Sequence, residues 1–340
     1  MSFNSNHTFK SYMLFTLINM LHFYPPPSSS SSWFGVWIGL ELNMMSFIPL
    51  ITIKMNYYFS ESALKYFLIQ ALGSTLLIMS SCMFMSFPQM SPPLLLTSLF
   101  LKLGSAPFHF WFPQVMSGLT WPQAIILSTL QKIAPMILIS YLSTYPSLMQ
   151  IISLSAILSA ITGALGGLNT MQLRKMMAFS SINHMSWMLM SISISDTFWI
   201  TYFLFYSAIT SSIMILFYIL QTFTLSDLMK SNQTNPIHSL IIPLNFLSLG
   251  GLPPFTGFIP KWMLIQFLIN SKLFLPLIFL LSSALITLYF YLRITIFFFL
   301  LTNPTMIINM KLNMTYSFSM KLLLFFNLFM FLLPLMFLFF

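Results

Sequence analysis

Residues 99–113 read LFLKLGSAPFHFWFP. An apolar run suited to a bilayer interior stops at a glycine and a proline, with Lys102 just before the stop and His109 just after it. Residues 251–262, GLPPFTGFIPKW, repeat the frame: both stretches contain Pro-Phe-x-x-aromatic-x-Pro, at 107–113 and at 254–260, and the second ends on Lys261. Each lies inside a longer hydrophobic segment. Gly and Pro interrupt a membrane helix only where freed backbone groups find other partners or water. The fold is therefore expected to be all-α and polytopic, with two discontinuous helices. The two motifs fall in the fourth and ninth of the spans given below, and this odd offset predicts repeats that run in opposite directions, an arrangement that in transporters marks the ion path.

Composition supports the bilayer as solvent. The chain has 340 residues, 58% hydrophobic and only 5% charged, against roughly 25% charged in a soluble domain. Spans are expected near 10–24, 33–53, 61–86, 92–112, 121–144, 147–168, 174–193, 197–223, 236–270, 274–300 and 319–340, about eleven at roughly 20 residues each. They group as one transmembrane domain over 1–340, with a first repeat at about 33–168, a second at about 174–300, and peripheral helices at 10–24 and 319–340. Pro25-Pro26-Pro27 and the five serines that follow make a stiff polar turn. Residues 1–10 hold one lysine and no arginine, so no cleavable address is expected there.

Loop charges orient the chain. Counted by alternation, the N-terminal side collects Lys10, Lys54, Arg174, Lys175, Lys230, Lys311 and Lys321, and the other side only Lys272. Lys and Arg accumulate on the side of synthesis, so the N-terminus is expected there and the C-terminus opposite. The net charge of +9 is scattered singly rather than gathered in a patch, which excludes nucleic acid as a partner. Cys82 is the only cysteine, so a disulfide or a four-Cys cluster within the chain is excluded. In its apolar run it is expected to be packed. Gly163, Gly166 and Gly167 lack the G-x-G-x-x-G spacing and are expected to serve close helix packing. No motif for NADH, flavin, an iron–sulfur cluster or a metal is visible.

Four ionisable groups fall inside spans: Glu41, Lys102, Lys132 and Lys261. Each costs roughly 2.5–3.5 kcal/mol at a helix centre, so a pairing or a function must justify them. Lys102 and Lys132 are expected in mid-span, too deep to snorkel. A buried ion pair between Glu41 and a lysine is one reading. A carboxylate that tunes a lysine able to load and release a proton is the other, and the two are compatible. His109 and His184 either extend such a path or are buried, hydrogen-bonded histidines. Glu61 and Lys65, four apart, suit an ordinary helical pair. Asp196 and Asp227 are placed in solvated loops.

The stretches WFGVWIGLELNMMSFIPL (33–50), ESALKYFLIQ (61–70), LKLGSAPFHFWFP (101–113), GLTW (118–121), QKIAP (131–135), LRKMMAFSSINHMSWM (173–188) and LNFLSLGGLPPFTGFIPKW (244–262) closely resemble the subunit 2 family of mitochondrial NADH–ubiquinone oxidoreductase, complex I, in its short arthropod-like form. The likeness runs in order from about 33 to 300; outside it only hydrophobicity matches. The resemblance implies an antiporter-like fold and a proton-translocating role in the membrane arm. It places the family's buried glutamate on Glu41, its broken-helix lysines on Lys102 and Lys261, and its central lysine on Lys132. It implies that NADH, FMN, iron–sulfur clusters and ubiquinone are bound by other subunits, with no cofactor in this chain. The implied partners are the subunit 4 and subunit 4L neighbours, accessory subunits, and lipids including cardiolipin. The implied location is the inner mitochondrial membrane, with the N-terminus in the matrix and the C-terminus in the intermembrane space. A stand-alone cation/proton antiporter and a purely structural scaffold are the rival readings.

Overall fold

The computed structural model describes residues 33–52, 56–84, 86–232 and 236–300. The expected spans at 10–24 and 319–340 lie outside them. Each expected span between these two contains helix. Among the described residues the only β-structure is an isolated bridge between Gln172 and Thr224. Among the described residues six helical stretches are long and apolar enough to cross a membrane, Trp121–Leu142 being one of them.

The chain divides into two compact units, the first ending at Ser155 and the second beginning at Ala156. The first contains α1 (Trp33–Ile51), α2 (Tyr57–Met83), α3 (Ser91–Leu103), α4 (Trp111–Gly118), α5 (Trp121–Ser128), α6 (Leu130–Leu142) and the start of α7 (Pro146–Gly167). Helix α2 is its hub, packing against α1, α3 and α4. Helix starts follow local chemistry. Proline opens α3 and α5, where its missing N–H costs nothing. Thr120 and Gln123 form a capping box at α5, and Gln123 Nε2 also donates to the carbonyl of Leu50 at 2.6 Å, satisfying an open group at the end of α1.

The second unit contains the rest of α7, then α8 (Leu173–Ile192), α9 (Asp196–Leu220), α10 (Leu225–Asn232), α11 (Pro236–Gly250), α12 (Phe258–Asn270) and α13 (Phe274–Leu300). Helix α8 is buried along nearly its whole length, packed against α9 and α13. The glycines of α7 let it approach α8 closely, as expected. A methyl group at Gly163 would lie 2.6 Å from the backbone nitrogen of Asn183, and one at Gly166 would overlap the Phe179 ring. Asp227 accepts hydrogen bonds from the backbone and hydroxyl of Thr224 at 3.2 and 2.7 Å, and Asp196 opens α9. Both acids thus serve helix N-termini, where negative charge is favoured. Lys65 and Glu61 form the expected exposed pair at 2.7 Å.

Two local expectations change. Cys82 is exposed rather than packed, because it falls on the face of α2 turned away from its neighbours. The expected span at 121–144 is interrupted at Thr129, which separates α5 from α6. No glycine or proline causes this. The Thr129 hydroxyl and N–H both donate to the carbonyl of Ile125, at 2.7 and 3.0 Å, and the Lys132 N–H donates to the Thr129 carbonyl at 3.1 Å, a tight turn between the two helices.

Candidate functional site

Both Pro-Phe motifs lie at helix breaks, and the two breaks share one backbone frame. Helix α3 ends at Gly104, whose φ is 72°. The N–H of Gly104 bonds to the carbonyl of Leu101 at 3.3 Å, and that of Ser105 to Phe100 at 3.3 Å. Helix α11 ends at Gly251, φ 75°, with Gly251 bonded to Ser248 at 3.0 Å and Leu252 to Leu247 at 3.4 Å. This paired capping needs a left-handed residue, which glycine adopts at little cost. Each cap leaves the carbonyls of the last turn facing the break, a place that favours a cation.

The two breaks meet that demand differently. In the second unit Lys261 reaches back from α12, and its Nζ donates to the carbonyls of Gly250 at 3.0 Å and Leu249 at 3.3 Å. The ammonium also lies 5.8 Å from the centre of the Trp187 ring. In the first unit Lys102 belongs to the last turn of α3 itself. Its carbonyl is capped by neutral Gln70, whose Nε2 donates at 3.2 Å, and Trp111 Nε1 caps Leu101 at 3.1 Å. The Lys102 side chain is thereby left to run past Gly73, where even a methyl group would come within 3.0 Å of its Cγ.

That side chain lines a cavity together with Lys132. The cavity walls also include Asn43, Tyr66, Gln70, Trp111 and Gln131. The space open to a water centre is about 20 Å³, and roughly 10–15 Å³ suffices for one water. Lys132 is 2% exposed and sits 5.2 Å from the centre of the Phe112 ring. It lies in the first turn of α6, just after the Thr129 turn and midway along the Trp121–Leu142 stretch. Pro135 has no N–H, so the carbonyl of Gln131 lacks its helical partner. Lys102 sits one residue before the Leu103 terminus of α3, at the expected break.

Among the described residues Glu41 forms no salt bridge. One carboxylate oxygen is buried without a hydrogen-bond partner, and the group lies within electrostatic reach of Lys102 and Tyr66. His109 lies in the first break, buried, with its ring 4.3 Å from that of Phe110 and Nδ1 without a hydrogen-bond partner. It does not line the cavity. His184 lies in the second unit, where Nδ1 meets the Tyr202 hydroxyl at 3.0 Å and the ring lies 5.2 Å from Tyr206. It shares a face of α8 with Trp187, three residues on. The structure thus brings Lys102 and Lys132 to one cavity, with Glu41 in electrostatic range, and gives Lys261 and His184 a setting in the second unit.

The reading of charged residues did not single out Asn43, Tyr66, Gln70 or Gln131. The available signal was the amide in each of LELNMM, FLIQAL and LQKIAP, a costly group in an apolar run.

The family model described as NADH:quinone oxidoreductase/Mrp antiporter, TM, matches residues 88–287. NADH-ubiquinone oxidoreductase chain 2 of Anopheles gambiae is 48% identical over 80% of this chain and 82% of its own. The Aedes aegypti chain 2 is 43% identical over 84% and 86%, and that of Canis lupus 39% over 86% of both. A chain of respiratory complex I from Thermus thermophilus has the same fold, with a TM-score of 0.72 and 23% identity over 85% of this chain and 70% of that one. A chain of the archaeal membrane-bound sulfane sulfur reductase superposes with a TM-score of 0.80 at 16% identity, over 96% and 73%. Conserved sequence over most of its length and the shared fold together make this chain a member of the NADH-ubiquinone oxidoreductase chain 2 family.

Proposed function

We propose that this chain is a proton-translocating membrane-arm subunit of respiratory complex I, seated in the inner mitochondrial membrane. The observation that carries the reading is the cavity that Lys102 and Lys132 line together, with room for water between helix breaks. A lysine in such a place holds or gives up a proton according to the charges around it. Glu41 tunes Lys102, Lys102 and Lys132 exchange a proton through water, and Lys261 is the carrier of the second unit. Lys261 in its charged form caps the carbonyls of α11, so its proton is held where the helix end attracts it. His184 with Tyr202 extends the polar path of that unit, and His109 stands beside the first break. Electron transfer from NADH to ubiquinone takes place on other subunits, and this chain binds no NADH, flavin, iron–sulfur cluster or ubiquinone. Its neighbours are other membrane-arm subunits, the subunit 4 and 4L chains among them, accessory subunits, and lipids including cardiolipin.

Isolation in mild detergent separates this reading from a stand-alone antiporter. The chain is expected to migrate on a native gel with flavin- and iron–sulfur-bearing subunits and with NADH oxidation activity. Recovery as a lone protein that exchanges cations for protons in vesicles would overturn it.

Orientation has its own test. Asn169 is exposed in the turn between α7 and α8, beside Arg174 and Lys175. In a Cys82→Ala background, needed because the native thiol is exposed, Asn169→Cys is expected to react with a membrane-impermeant maleimide from the matrix side alone. Reaction from the intermembrane space would reverse the topology.

A further inference from the structure

Asn43 and Gln131 stand 88 residues apart in sequence and meet as a doubled amide pair. Asn43 Nδ2 donates to Gln131 Oε1 at 2.7 Å, and Gln131 Nε2 donates to Asn43 Oδ1 at 3.1 Å. The Tyr66 hydroxyl donates to the same Oε1 at 3.4 Å. All three side chains line the cavity that Lys102 and Lys132 share. Asn43 sits on α1, two residues beyond Glu41, and Gln131 immediately precedes Lys132 at the start of α6. Backbone packing between α1 and α6 is sparse, so the amide pair is a main tie between the helix of the glutamate and that of the central lysine.

An amide neither gains nor loses a proton near neutral pH, so the pair cannot carry one. It can fix where carriers stand. Gln131 Oε1 spends both lone pairs on Asn43 and Tyr66, whereas each amide nitrogen keeps a second N–H. Two protonated lysines also bring only donors. Water in the cavity therefore finds donors in excess, and a lysine nitrogen becomes an acceptor only after releasing its proton. Transfer of a proton through water from one of these lysines to the other requires the receiving lysine to be neutral, and the amide pair holds Lys132 and the water in register for that state.

We propose that Asn43 and Gln131 act as one positioning unit that sets Lys132 against Lys102 in the first-unit cavity. The proposal rests on the reading of these lysines as proton carriers. Its test exploits side-chain length. Asn43→Gln and Gln131→Asn each change the reach of the pair by one methylene in opposite senses, and the double variant restores the total. In the assembled complex each single variant is expected to lower the kcat of NADH–ubiquinone turnover and proton uptake by about three- to ten-fold. KM values, native-gel assembly and NADH oxidation with an artificial electron acceptor are expected to stay unchanged. The double variant is expected to recover at least half of the wild-type kcat. A merely structural tie would reduce the amount of assembled complex, not the kcat of what assembles. Full kcat in both single variants, or a double variant no better than the worse single, would overturn the proposal. Lys132→Met, run in parallel, keeps the two ideas apart. Loss of turnover there without rescue by the double variant leaves the lysine reading standing and sinks the amide pair, whereas full turnover there sinks the lysine reading itself.

Discussion

Lys132→Met is expected to assemble normally and to lose about ten-fold or more of coupled NADH–ubiquinone turnover, with proton uptake falling in step. Methionine matches the length and apolar stem of lysine but carries no proton. The buried ammonium is a burden on stability, as it is 2% exposed and its charge faces an aromatic ring and a small cavity. Replacing a buried charge by an apolar side chain of similar volume is commonly neutral or stabilising, so a scaffold would turn over normally and resist heat at least as well. A carrier would not. Lys132→Arg is expected to fail as well, since guanidinium does not deprotonate in proteins and the larger head displaces cavity water. Native-gel assembly, quinone reductase rate and proton uptake in reconstituted vesicles, measured on the same preparations, decide the matter. Full rates in an assembled Met variant would remove Lys132 from the path.

The largest structural loss is expected at Gly257. A methyl group there would overlap the backbone carbonyl of Ser248, and no rotamer can relieve a clash with backbone. Ser248 is also the acceptor that closes the cap at Gly251, and that cap presents the carbonyls to which Lys261 donates. Gly257→Ala therefore strains the second break as a whole. The cost is expected to be about 3–5 kcal/mol, at the upper end of overpacking, seen as loss of the chain from the assembled complex on native gels. Gly250→Ala is the control. Its nearest neighbour would be the Tyr291 ring at 3.6 Å, an ordinary contact, and assembly is expected to be unchanged. Equal damage from both substitutions would mean that the region is merely intolerant of side chains, and the special closeness at Gly257 would be refuted.

The sequence by itself determined the membrane fold, the two motif breaks and the lysines beside them. These signals are strong because a bilayer penalises each charge and each lost backbone bond heavily, so Lys102 and Lys261 next to Gly and Pro stand out from their surroundings. Their different roles were not visible there. Whether a break lysine caps a helix end, as Lys261 does, or is released from that duty by Gln70 and turned toward a cavity, as Lys102 is, depends on what a neighbouring helix supplies. The Thr129 turn has no Gly or Pro at it, so nothing in the letters marked it. Between an ion pair and a tuning carboxylate at Glu41 the letters could not choose, because a carboxylate placed by its helix does not set its distance to a lysine on another. Asn43 and Gln131 are unremarkable letters until the fold closes 88 residues of intervening chain and sets one amide against the other. Solvation energy is a property of a residue and its local run, so the sequence reveals it; hydrogen-bond partnership is a property of two distant residues in space, and only the tertiary structure decides it.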